Sequence, residues 1–226
     1  MNNSISELPG EKGAPSVVAR SVLLLFTGWF LTVLTAAVSG SFNAPDGERP
    51  IAILVAILLP LVAFGLLCLG IRSFRYWVLG LDMRHLILLH SWRMVGMGFV
   101  FLYFQDQLPA LFALPAGLGD ALAAAGALFL VIAMYERASL VTNRRIFTWN
   151  TFGLADFLLA VSLGVLTRAG DVLHINGAVD SNIMGTFPLA LIPAFAVPFY
   201  MITHLIIYAQ LMHRRLSSLS GNRPAA

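Results

Sequence analysis

Charge is scarce in this chain. Of its 226 residues only 11% are Asp, Glu, Lys or Arg, while 58% are hydrophobic. Soluble domains carry roughly 25% charged residues. A soluble fold of this length has no way to hide that much apolar surface, so lipid must be the solvent for much of it. Cysteine is nearly absent as well. Cys68 alone excludes an internal disulfide framework and any multi-cysteine metal site, and its apolar surroundings mark it as a small packing residue. There is no phosphate-binding Gly-Lys loop, no dinucleotide glycine fingerprint, no HExxH and no G-x-S-x-G. No stretch between the apolar runs is long enough to hold a soluble catalytic domain, so enzymatic activity is the least supported class. The net charge is only +3, and the basic residues fall in short clusters rather than one patch. Nucleic acid is therefore not the expected partner.

What is present is a series of long apolar runs, with mean hydropathy +0.83 over the chain. A spanning helix needs about twenty predominantly apolar residues, and six segments qualify, at roughly 17–39, 51–71, 84–104, 118–135, 147–167 and 187–212. The expected fold is all-α, a polytopic bundle of six transmembrane helices occupying 17–213. Polar tails at 1–16 and 214–226 are read as disordered. Polar residues precede the first run, and that run is long enough to span, so it reads as a span rather than a cleaved leader. Pro60 and Gly65 bend the second span, and Pro193 and Pro198 make the sixth the one to kink. Between spans three and four, Gln105 to Gly117 is too apolar for a solvated loop and too short to cross. A re-entrant half-helix from Leu108 to Leu114 fits it. The longest loop, Arg168 to Thr186, reads as a small cap. Spans one to three and four to six share no visible repeat.

Orientation follows from the basic residues. Lys12, Arg20, Arg72, Arg75, Arg84, Arg137, Arg144, Arg145, Arg214, Arg215 and Arg223 alternate onto one side, and the other side has only Arg49 and Arg168. Both termini are thus expected in the cytoplasm, and the localisation is a cell inner membrane. The bilayer is the expected partner, Arg144 and Arg145 are placed to touch anionic lipid, and an oligomer is allowed.

The informative residues are the polar ones inside the spans, because an intramembrane charge is expensive and needs a partner. His90 and Arg93 are three apart on span three, so they share a face, and Gly96 continues it. Span five carries Asn150 and Asp156, and span six carries His204. At about 1.5 Å of rise per residue, Arg93 and Asp156 both lie roughly 14 Å in from the cytoplasmic face. By the same rise, His90 lies roughly 9 Å in and His204 roughly 12 Å. An Arg93–Asp156 ion pair across spans three and five is the sharpest expectation. Asp120 reads as an acid in the first turn of span four, at the positive end of its dipole, or as an outward-facing proton or cation entrance. Trp92 beside Arg93 suggests a cation–π contact, and Trp149 reads as an interface anchor and packing residue.

Three readings follow. The first is a protein that binds or transports a small solute or proton through a polar cluster between spans three, five and six, open toward the cytoplasmic half, with Arg93, Asp156, Asp120 and Asn150 as candidates. The second is a redox protein holding haem b, since His90 and His204 supply histidines from two helices at similar depth. Arg93 would then face a propionate. A zinc site would need a third ligand. The third is a structural or accessory subunit whose polar residues only set helix packing.

Overall fold

In hydrocarbon no water satisfies backbone N–H and C=O groups, so a spanning chain must bond to itself, and the helix does this within one segment. The computed structural model describes residues 17–174 and 178–220, all helix or connecting turn. The expected N-terminal tail lies outside the described residues, as do 221–226. Residues 214–220, expected in the C-terminal tail, instead continue the last helix.

Among the described residues six helices are long and apolar enough to cross a membrane. They are α1 (Val17–Val38), α2 (Ile51–Gly70), span three (Met83–Phe104), α6 (Ala110–Glu136), α7 (Asn143–Leu166) and span six (Ile192–Arg214). The molecule is a helical membrane bundle. A short helix, α3 (Arg72–Leu79), joins α2 to span three. It turns Val78 inward and leaves Tyr76 exposed. Span three is itself composite: α4 (Met83–Leu89), a 3-10 segment (His90–Gly96) and α5 (Met97–Phe104). Asp82 caps α4 by accepting the Arg84 backbone N–H at 2.8 Å. That bond holds the Asp82 carboxyl below its ordinary value.

Helix α6 lies at the centre, packed on span three and on α7, and half of its apolar window is buried. Its buried face is built from small residues, among them Ala113, Ala116, Gly117, Gly119, Ala123 and Ala127, which let neighbouring backbones approach. The re-entrant half-helix expected at 108–114 is not a separate element, because from Ala110 onward it forms the first turns of α6, with Pro115 inside. Proline removes one hydrogen bond, whereas breaking the helix in an apolar setting would orphan several backbone groups, so the helix continues. Span six differs in the other direction. Residues 187–190 are turn, and Ile192–Ala196 form a π-helical turn around Pro193 before α8 (Val197–Ser220) begins. The wider turn takes up the prolines without a break. Helices α1 and α2 are peripheral, with only 11% of each apolar window buried, so most of their apolar surface faces away from the bundle.

The connection between α1 and α2 (loop one) and the one that follows α7 (loop five) meet on one face. Gly47 N–H donates to Ala169 O at 3.0 Å, and Asn182 Nδ2 donates to Asp46 Oδ1 at 2.7 Å. Gly170 sits at φ +82, and a Cβ there would lie 2.9 Å from Gly47 Cα, so the contact requires glycine. On the opposite face, which carries both described chain ends, Gln210 Nε2 donates to Leu81 O at 2.9 Å and ties α8 to the turn before α4.

Candidate functional site

The 3-10 segment creates the site. Residues three apart eclipse one another in this helix, so His90, Arg93 and Gly96 all point inward and are buried. The intervening Trp92 and Val95 point outward, 70% and 67% exposed. Trp92 therefore does not cover Arg93, as the sequence suggested. Phe157 does, with the guanidinium carbon 3.8 Å from the ring centroid.

Arg93 is the hub. Its Nε donates to Asp120 Oδ1 at 2.7 Å and its Nη2 to Asp156 Oδ2 at 2.5 Å. Its Nη1 donates to Gly153 O at 3.2 Å and to His204 Nε2 at 3.3 Å. Span four thus joins spans three, five and six. Asp120 is not a first-turn residue: it lies nearly three turns inside α6, and its side chain is only 13% exposed. The dipole explanation fails because the helix begins at Ala110, earlier than the polar residues indicated.

Missing side chains make room for the charges. A methyl group at Gly96 would overlap the Asp120 carboxylate, and one at Gly119 would overlap that of Asp156. At Gly153 it would come within 2.9 Å of Arg93 Nη1 and 2.7 Å of His204 Nε2. Each charged group therefore sits in a notch left by a glycine on a facing helix.

The histidine tautomers follow from their partners. His204 Nε2 faces an Arg93 N–H and must accept. Its proton is then on Nδ1, which donates to Asn150 Oδ1 at 2.7 Å. Asn150 Nδ2 donates to the His204 carbonyl at 3.1 Å, so Asn150 fixes both the side chain and the backbone of His204. Thr203 Oγ1 donates to Tyr200 O, so it accepts from His90 Nε2–H at 3.0 Å. His90 Nδ1 is left buried with no partner.

The two histidine rings lie 4.1 Å apart, centroid to centroid, and tilted by 35°. Axial ligation places a macrocycle between the two rings. Rings in van der Waals contact leave no such gap, so the haem expectation does not fit this geometry. Among the described residues no group of three or more His, Cys, Asp or Glu is arranged to hold a metal ion. Trp149 is not an interface anchor: it is buried, donates to Ala123 O at 2.9 Å and meets His90 edge-on.

A cavity of about 300 Å³ adjoins the cluster. Arg93, Asp120 and Tyr200 form its polar floor, and Arg168 and Ser181 lie at the end nearest loops one and five. The expected opening toward the terminal face is reversed. On that side the cluster is closed by packed apolar side chains, including Ile87, Leu130, Ile207 and Leu211. Burial pulls Arg168 below the ordinary arginine value, and Asp180, Asp171 and Asp46 oppose that shift.

Sequence reading missed Asp120 as a partner of Arg93, together with Phe157, Tyr200 and Arg168. Only Asp120 left a signal, as an acid in a glycine- and alanine-rich run able to approach span three closely.

A family model for a domain of unknown function, DUF8737, matches residues 50–212, which include every residue of the cluster, and the chain belongs to that family. No curated protein and no solved structure matches it.

Proposed function

We propose that this member of the DUF8737 family is a membrane carrier that binds a small solute together with a proton at the floor of its cavity. The observation that carries this reading is charge imbalance in a buried site. One guanidinium serves two carboxylates. With both ionised the cluster holds one excess negative charge, which a low-dielectric interior strongly disfavours. A proton or a cationic group restores neutrality, and Asp120 is the carboxylate that lines the cavity. Intramembrane ionisable residues commonly mark ion and substrate paths.

In this reading Asp120 exchanges the proton, Asp156 holds Arg93 in place, and Arg93 fixes the Asp120 carboxylate at the cavity floor. His204 and His90 extend the polar chain toward the terminal face, which this reading assigns to the cytoplasm from the distribution of basic residues. The cavity then opens to the outside. The 3-10 segment and the π-helical turn are the moving parts, because each can exchange its hydrogen bonds for α-helical ones without leaving the helix.

The test is reconstitution into vesicles containing a pH-sensitive dye, challenged with a panel of small acids, amines and sugars. The expected result is acidification that depends on one solute class and is lost in Asp120→Asn, with the variant still monodisperse. An Asp120→Asn protein that moves solute and protons like wild type would overturn the proposal.

The tight glycine notches favour a second reading, in which the cluster only sets helix packing. A folded variant neutralised at Arg93, Asp120 and Asp156 would then keep the cellular phenotype, whereas the carrier reading requires its loss.

A further inference from the structure

Among the described residues two arginines are buried, Arg93 and Arg168. Arg93 is satisfied by two carboxylates, and Arg168 is not. Arg168 is 3% exposed and donates from Nη2 to Ala44 O at 3.0 Å, while its Nε is buried without a partner. No carboxylate of the described residues forms an ion pair with it. Asp46 and Asp180 are engaged by Asn182, which donates to Asp46 Oδ1 from Nδ2 and to Asp180 Oδ1 from its backbone N–H. An orphaned donor on a buried cation is costly. Arg168 also lines the cavity, so an acceptor bound there could meet it.

Between the Arg168–Ser181 end and the Arg93–Asp120–Tyr200 floor the cavity is lined by apolar side chains, with Ile57, Phe99, Phe112 and Val161 among them. Its volume of about 300 Å³ is at the small end of the usual range for ligand sites, ~300–1,000 Å³. Trp92 and Val95 line the cavity yet face the surroundings, and α2, which forms the other wall, packs chiefly on α8 and the π-helical turn rather than on span three. An entrance between span three and α2 would face lipid. From Asp156 to the end of α7 the helix rises roughly 15 Å. An elongated molecule entering here would therefore have its head near the membrane surface and its chain toward the middle.

We propose that the cavity takes a single-chain carboxylate amphiphile from the bilayer, with its carboxylate on Arg168 and its chain directed toward the Arg93–Asp120 floor. This rests on the reading of the cavity as a ligand site. A monoanion is favoured over a phosphate dianion because Asp46, Asp171 and Asp180 act electrostatically on Arg168. A cationic head is disfavoured by the guanidinium itself.

The probe is dodecanoate brominated at the far end of its chain, which quenches tryptophan on contact. It is compared with the equally brominated dodecanol on wild-type protein in detergent. The expected result is saturable quenching by the carboxylate at concentrations at least about tenfold lower than by the alcohol, consistent with a charge-assisted bond. Trp92→Phe should remove the saturable part, and Arg168→Gln should remove the difference between the two probes. Equal titrations of the two probes on wild type would overturn the proposal, whether or not any variant folds. So would a difference that survives Arg168→Gln. No gradient is applied, so loss of proton movement in Asp120→Asn bears on the carrier reading alone.

Discussion

Replacing Arg93 with Met tests whether the cluster is a mutually dependent set of charges. The substitution keeps a long, flexible side chain but deletes the guanidinium. Asp120 and Asp156 lose their 2.7 and 2.5 Å donors, and the Gly153 carbonyl and His204 Nε2 lose theirs. Two carboxylates are left in one buried site with no cation. Removing one partner of a buried pair costs ~3–5 kcal/mol. At the ~2–4 °C per kcal/mol typical of domains of 150–250 residues, Tm should fall by roughly 6–20 °C. The assay is thermal unfolding of detergent-purified protein, followed by loss of the monodisperse peak. The companion variant adds Asp120→Asn and Asp156→Asn to Arg93→Met. It removes the uncompensated charges and should recover most of the loss, because neutral replacement of a buried ionic set is often tolerated. An Arg93→Met protein as stable as wild type, or a triple variant less stable than the single one, would show that these charges do not depend on one another.

Two further outcomes follow from the packing. Gly119→Ala places a methyl group where the Asp156 carboxylate sits. It should lower stability by ~1–3 kcal/mol as overpacking, read as a Tm shift, while Gly28→Ala, with nothing within 4 Å of the added methyl, should not. Asp82→Ala should destabilise the protein at neutral pH by removing the cap of α4. The Asp82 carboxyl is depressed below 3.8 in the folded state. Its contribution is therefore present above that value and lost as pH falls through the depressed one, and the Tm difference between variant and wild type should vanish in that acid range.

How much of this was legible in the sequence depended on which physical signal each feature leaves. The spans were legible because a bilayer imposes length and hydropathy on every crossing. Depth counting set Arg93 and Asp156 at one level, and they are bonded in the structure. It also set His90 and His204 within a turn of each other, and their rings touch. The same counting failed for Asp120. The start of span four was placed at Leu118, the end of a glycine- and proline-containing stretch, whereas the helix begins at Ala110. An error of two turns moved the acid from the middle of the bundle to its surface and hid the second partner of Arg93. The direction of the cavity was not legible either. It depends on which side the apolar plug around Ile87 and Ile207 occupies, and that is a property of packing rather than of any one span. The 3-10 segment left no mark in composition, and within it Trp92 faces outward while Arg93 faces Phe157.

The central claim is that the cluster of one arginine and two aspartates carries a proton that Asp120 exchanges with the cavity. Infrared titration of the purified protein tests it most directly, by following the carbonyl stretch of a protonated carboxylic acid at neutral pH in wild type, Asp120→Asn and Asp156→Asn. Wild type should show such a band, and Asp120→Asn should lack it. A wild-type spectrum with every carboxylate ionised, or a band unchanged in both variants, would contradict that claim.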